Sequence, residues 1–154
     1  MEKVKLTNMC MIENNDTQEV LVQERIKSWE GITFPGGKLE KGEALVPSTI
    51  REVKEETGLV VSDLKLCGIK DWYDFKTEER YIVFLLKTNK YSGNLLSETE
   101  EGKVFWIKKE NLRKQNLSLD FEEMLDIYDG KNTEFFYKDL ALEDEEKRWQ
   151  KELY

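Results

Sequence analysis

The chain has 154 residues, enough for one domain with a sizeable core and too few for a second catalytic module. Hydrophobic residues make up 39% of it and charged residues 36%, which excludes a disordered polymer and implies a heavily solvated globular surface. A formal net charge of −8 is the wrong sign for gripping a nucleic-acid polymer or an anionic membrane, and the lack of any histidine excludes imidazole catalysis and histidine-based zinc sites.

Leu6 to Glu13 and Glu19 to Glu24 alternate as two strands around the turn Asn14-Asn15-Asp16, which predicts a hairpin. Cys10 and Cys67 sit far apart in apolar, strand-like settings and read as reduced core residues. The N-terminus carries no apolar run of signal-peptide length and nothing reaches membrane-spanning length, so the expected location is the cytoplasm. Arg25 and Lys27 follow the hairpin. Phe34-Pro35-Gly36-Gly37 is then a turn signal, its glycines free to take positive φ and to let a ligand approach the backbone.

A helix is predicted from about Leu45 to Thr57. Pro47 suits its first turn, Ile50, Val53 and Thr57 share a face, and Gly58 is placed to end it. Glu52, Glu55 and Glu56 stand at i, i+3 and i+4, so three carboxylates share another face. A run such as KEE is usually just a solvated acidic surface. Here a Gly-Gly turn precedes it, Glu43 stands upstream and Gly58 ends it, and an isolated acidic face requires none of these. All-oxygen ligands without a soft donor favour a hard divalent cation, Mg²⁺ first and Mn²⁺ second. With no histidine, a base has to be a carboxylate or a water acidified by the metal, and Glu52 is the leading candidate.

Val60 to Trp72 and Tyr81 to Leu86 read as strands, the second an apolar run expected to be buried on both faces, joined by a solvated hairpin at Lys76 to Arg80. Asn89 to Asn94 reads as loop, Val104 to Ile107 as a short strand and Lys109 to Leu112 as a turn. Phe121, Met124, Leu125 and Tyr128 recur at helical spacing and define a second helix over Asp120 to Tyr128, with a further strand at Thr133 to Tyr137. From Lys138 the chain reads as a charged helix or tail anchored by Leu140, Leu142, Trp149, Leu153 and Tyr154. Packing on the domain, packing on a second subunit in a homodimer, and fraying all stay open. The organisation is therefore a domain at 1–137 and a C-terminal segment at 138–154.

Gly37 to Leu59, GKLEKGEALVPSTIREVKEETGL, resembles the Nudix box at every fixed position, and the likeness to MutT-type Nudix hydrolases extends from about Leu6 to Tyr137. The resemblance implies an α/β/α sandwich of the α+β class, with a mixed sheet and a loop-helix-loop catalytic motif. It assigns Glu52, Glu55, Glu56 and the Gly37 carbonyl to divalent metal, with one more glutamate from the SETEEGK loop, where Glu98 is preferred over Glu100 and Glu101. It places Arg51 and Glu43 in structural support of the catalytic carboxylates, and Arg25, Lys38 and Asp120 against a small nucleotide substrate. Asp120 has an N-cap role as its alternative. Tyr73 lies at about the distance from the box at which dinucleoside-polyphosphate hydrolases keep a tyrosine, and core packing explains it equally. The implied reaction is Mg²⁺-assisted attack of water on a nucleoside diphosphate-linked compound. The first expected substrate is 8-oxo-dGTP; the alternatives are ADP-ribose, nucleotide sugars or dinucleoside polyphosphates, and a nucleotide sensor that has lost catalysis.

Overall fold

A computed structural model describes residues 1–154. Its organising strand is β1 (Lys3–Asn14), which runs into β2 (Glu19–Arg25) through a turn held by Asn14, whose Oδ1 accepts from the N–H groups of Asp16 and Thr17 at 3.0 and 3.2 Å. Only the mouth of the predicted hairpin is paired, at Glu13 with Val20 and Asn14 with Glu19. The rest of β1 runs parallel to β7 (Glu79–Thr88), in register from Lys3 opposite Glu79 to Ile12 opposite Thr88. Short strands β3 (Gly31–Thr33) and β4 (Gly36–Lys38) pair with β2 and β1.

Helix α1 (Leu45–Thr57) ends at Gly58 with φ 81°, the left-handed conformation that glycine adopts without steric cost. The single predicted strand after it is divided into β5 (Leu59–Ser62) and β6 (Lys65–Asp74), because Asp63 turns the chain with φ 53°. Lys90–Gly93, expected as loop, forms β8 and pairs antiparallel with β5. There follow β9 (Glu98–Thr99), β10 (Gly102–Lys108), a 3-10 turn at Lys109–Lys114, α2 (Phe121–Tyr128) and β11 (Glu134–Asp139).

With β12 (Trp149–Leu153) at one edge, the main sheet runs β12-β11-β6-β7-β1-β2-β10-β9 and is mixed, with helices on both sides, so the predicted α/β/α sandwich is the fold. One core lies under α2, where Phe121, Met124, Leu125 and Tyr128 meet Met11, Leu85 and Phe135. A smaller one lies under α1, where Val53 meets Cys10, Ile12, Leu59 and Val61. Burial of this order is the main stabilising term, at about 1.5–3 kcal/mol for each large apolar side chain. No helix is long and apolar enough to cross a membrane.

Two further expectations are corrected. The segment after Lys138 is not a charged helix. It makes one helical turn, α3 (Glu145–Arg148), and then β12 (Trp149–Leu153), antiparallel to β11 from Phe135 opposite Leu153 to Asp139 opposite Trp149. Without it the edge of β11 would present unpaired N–H and C=O groups, and their satisfaction outweighs the local helix preference. Arg148 fastens the turn by donating twice to Asp139, at 2.6 Å each. The boundary drawn at 137 therefore falls inside β11. The apolar run of β7 is not buried on both faces either: Leu85 and Leu86 are, while Ile82, Val83 and Phe84 are only half-buried.

Candidate active site

The two glycines ahead of α1 serve close approach rather than positive φ. Neither is among the positive-φ glycines, and both are extended in β4. A Cβ on Gly36 would stand 2.1 Å from the Asn8 carbonyl oxygen, and one on Gly37 2.2 Å from the Glu52 carboxyl carbon. Asn8 holds the place together: its Oδ1 accepts from Gly37 N–H at 3.2 Å and its Nδ2 donates to Ser48 Oγ at 2.9 Å, tying β1, β4 and α1 at one buried side chain. No sequence pattern marks Asn8 for this, because its partners lie 29 and 40 residues away.

Arg51 is the hub of the acidic face. It donates to both oxygens of Glu43 at 2.8 Å, to Glu52 at 2.9 Å, to the Lys38 carbonyl at 3.1 Å and, weakly, to Glu55 at 3.4 Å. The guanidinium holds the Glu43 carboxyl down to about 2, with a backbone N–H from Glu40 in support. Lys38 thus enters through its carbonyl, and its side chain is exposed on β4. Glu56 is turned the other way and accepts from Gly36 N–H at 3.0 Å. Burial pushes its carboxyl up to about 7, and the charges of Glu52 and Glu101 push in the same direction against Gly36 N–H and Arg25.

Glu52, Glu55 and Glu56 line a cleft of about 290 Å³ with Thr99, Glu100 and Glu101, and no apolar side chain contributes to it. Glu98 is not part of that wall. It pairs across the β9 and β10 ladder with Lys103, and the turn after Thr99 brings Glu100 and Glu101 over the helix instead. The preference for Glu98 is therefore corrected: in the run SETEEGK, only the register of β9 distinguishes the three acids. No three acidic groups converge on one point in this arrangement, because Glu52 is drawn to Arg51 and Glu56 to Gly36. The donor set nevertheless fits a hard divalent cation: all ligands are oxygen, the cleft is wholly polar, and Glu52 lies against a backbone that has no Cβ.

Arg25, at the end of β2, donates through Nε to the Ser28 carbonyl at 2.9 Å and lines a second cleft of about 250 Å³ with Glu24, Ile32 and Asn116. Its charge reaches Glu56 and favours that carboxylate's ionised form. Asp120 lies apart from the glutamates, at the head of α2. It is buried in left-handed conformation with φ 65°, and its side chain makes no capping bond, which removes the N-cap alternative. Its carboxylate faces two lysines: Lys151 donates to it at 2.8 Å and Lys70 lies at 3.7 Å. Lys70 is itself buried, over the rings of Trp72 and Tyr137, and burial holds its ammonium below the usual lysine range. Sequence reading missed both lysines, one in a strand and the other in the expected tail. Tyr73 points to the opposite face of β6, against Phe75 and under Arg80.

A family model described as NUDIX domain matches residues 5–127. An uncharacterized Nudix hydrolase, YvcI of Bacillus subtilis, is 36% identical over 107 residues, which cover 66% of this chain and 64% of that protein. The ADP-ribose pyrophosphatase of Methanocaldococcus jannaschii is 26% identical over 114 residues, covering 73% of this chain and 66% of that protein. The chain spans about two thirds of the length of these two relatives and a quarter of the length of another, the mouse 8-oxo-dGDP phosphatase NUDT18. Among solved structures, the MutT protein of Bacillus halodurans superposes with TM-score 0.74 at 22% identity, covering 97% of each chain, a likeness of fold.

Proposed function

The chain belongs to the NUDIX domain family, and from that premise we propose that it is a divalent-metal-dependent hydrolase of nucleoside diphosphate-linked compounds. The observation that carries this reading is the wholly polar cleft in which Glu52, Glu55 and Glu56 stand together, held from one side by Arg51 and Glu43. Glu52, Glu55 and Glu56, with the Gly37 carbonyl and an acid from Glu100 or Glu101, would hold Mg²⁺ or Mn²⁺. When bound, such an ion offsets the charge of the phosphates and acidifies the attacking water.

The protein's own groups do the rest. Glu52 takes the proton of the attacking water, and Arg51 keeps its carboxylate oriented. Arg25, whose charge reaches Glu56, faces the phosphates and offsets their charge where the chain as a whole would repel them. Gly36 N–H fixes Glu56. Water attacks the α- or β-phosphorus and the α–β anhydride bond breaks, so a nucleoside triphosphate would give the monophosphate and pyrophosphate.

The substrate we favour is 8-oxo-dGTP. Asp120 supports it as a buried acceptor beside two donors, Lys70 and Lys151. An 8-oxopurine carries an N7–H that a carboxylate can accept, whereas plain guanine presents N7 as an acceptor and would set one acceptor against another at Asp120. ADP-ribose is the second reading, favoured by the archaeal relative and by the engagement of Asp120 with Lys151 before any base arrives. A panel of 8-oxo-dGTP, dGTP, ADP-ribose, UDP-glucose and diadenosine tetraphosphate decides between them by kcat/KM. The highest value is expected for 8-oxo-dGTP, and a lead for ADP-ribose replaces the first reading with the second.

A further inference from the structure

The three charged groups at the head of α2 are unequally covered. The side chain of Asp120 is 3% exposed and that of Lys70 6%, whereas Lys151 on β12 keeps 43% of its side chain in solvent. A ligand that reaches Asp120 from solvent therefore meets Lys151 first. The ladders put it there: Lys151 stands opposite Tyr137 and Tyr137 opposite Trp72, so the three share the face of the sheet on which α2 packs. Asp120 comes down on that face in left-handed conformation and makes no capping bond. Backbone strain of this kind in a residue other than glycine collects at ligand sites.

A chain of contacts joins this place to Arg25. Arg25 donates to the Ser28 carbonyl, and the next residue, Trp29, accepts through its carbonyl from Ser118 Oγ at 2.9 Å. The Trp29 ring is 6.0 Å from that of Trp72, over which the Lys70 ammonium lies. Trp29 is 49% exposed, and Trp149, two residues from Lys151, is 39% exposed. Aromatic surface that a base can cover is thus present at both ends of the path. The ion pair at its far end uses up neither partner. An ionised carboxylate has about four acceptor positions and an ammonium more than one N–H, so Asp120 Oδ1 and Lys151 Nζ, 2.8 Å apart, present an acceptor and a donor side by side. The oxidised edge of an 8-oxopurine is the complement, N7–H next to the C8 carbonyl. Plain guanine has neither group, since its N7 is an acceptor and its C8 carries only hydrogen.

We propose that Lys151 is a specificity-determining residue, its ammonium donating to the 8-carbonyl oxygen of the base while Asp120 accepts from N7–H. The inference rests on the reading of 8-oxo-dGTP as substrate and adds to it a residue of the C-terminal strand, outside residues 5–127 that the family model matches. Lys70, buried against Trp72 and Tyr137, stays as the fixed counter-charge of Asp120 when Lys151 turns to the base.

The test is calorimetric titration of the full chain, with metal removed, by 8-oxo-dGMP, 8-oxo-dAMP and dGMP. The wild type is expected to bind 8-oxo-dGMP more tightly than dGMP. Lys151→Met keeps the apolar stem and drops the ammonium, and should narrow that ratio by about tenfold, the scale of one lost charge-assisted hydrogen bond. The affinity for 8-oxo-dAMP should fall as much, because it keeps the 8-carbonyl and N7–H and lacks the 6-oxygen. Lys151 lies on an exposed edge strand and Asp120 retains Lys70, so the variant should fold, which thermal melting checks. A second measurement needs no variant: acetylation of the wild type by acetic anhydride, read by mass spectrometry, should be slowed at Lys151 by 8-oxo-dGMP and not by dGMP. A wild type that binds 8-oxo-dGMP no better than dGMP removes the substrate reading and this inference with it. A preference that Lys151→Met leaves intact, or a Lys151 that 8-oxo-dGMP does not shield, overturns this inference alone and makes the lysine a strut of β12. Equal weakening of 8-oxo-dGMP and dGMP, or a loss confined to 8-oxo-dGMP, overturns it too, since the contact would then be to a group other than the 8-carbonyl.

Discussion

Replacing Gly37 with alanine tests how tightly the backbone and the catalytic carboxylate are fitted together. The added Cβ would stand 2.2 Å from Glu52 Cδ and 2.3 and 2.6 Å from its oxygens, whereas carbon atoms in contact keep about 3.5 Å or more. The carboxylate has to withdraw by roughly 1.3 Å, and a displacement of about 1 Å in a reacting group costs on the order of a hundredfold in rate. Gly37 is extended in β4, so alanine adds no backbone strain and the thermal midpoint should change little. Two neighbouring glycines give the contrast. Gly36→Ala meets the Asn8 carbonyl oxygen at 2.1 Å, backbone against backbone, and should destabilise the fold by about 1–3 kcal/mol or more. Gly42→Ala meets nothing within 4 Å but sits at φ 77°, so it should cost only about 1–2 kcal/mol of strain and leave turnover intact. The assay pairs kcat, measured as formation of the nucleoside monophosphate with Mg²⁺ present, with thermal melting. Wild-type kcat in a folded Gly37→Ala protein would refute the placement of Glu52 in the reaction.

Glu52→Gln and Glu56→Gln should each lower kcat by about 10²–10⁴-fold with unchanged circular dichroism, and near wild-type turnover in both would return the acidic face to mere solvated surface. Asp120→Asn removes the counter-charge of a buried lysine and should lower stability by about 3–5 kcal/mol while narrowing the 8-oxo-dGTP to dGTP ratio of kcat/KM by about tenfold; unchanged selectivity would remove Asp120 from base reading. The Asp139 carboxyl is held below its usual range by Arg148. Its contribution is therefore present above the ordinary aspartate range and lost as pH falls through the depressed value. Asp139→Asn should melt earlier than wild type at neutral pH and converge with it in acid, and a gap that persists in acid would contradict the pairing.

The sequence was most legible where chemistry is local. Helix α1 has the boundaries read from Pro47, the apolar spacing and Gly58, and α2 buries the stripe read at Phe121, Met124, Leu125 and Tyr128. Partners distant in sequence were not legible. Nothing near Asn8 announces that it joins Gly37 and Ser48, and nothing near Lys151 announces Asp120. The tail misled because its composition favours a helix, while β11 offers an edge whose backbone groups need partners. Glu98 misled because which acid of SETEEGK faces the cleft depends on the register of a two-residue strand.

The central claim is that the acidic cleft cleaves a nucleoside diphosphate linkage with a divalent ion. The most direct measurement follows the products of 8-oxo-dGTP and ADP-ribose by ³¹P NMR, first after exhaustive metal removal and then on return of Mg²⁺ or Mn²⁺. Cleavage of the anhydride should be absent without metal and restored by its return, with Glu52→Gln remaining slow throughout. Full cleavage in the metal-free protein, or intact anhydrides with metal restored across the wider substrate panel, would contradict the claim.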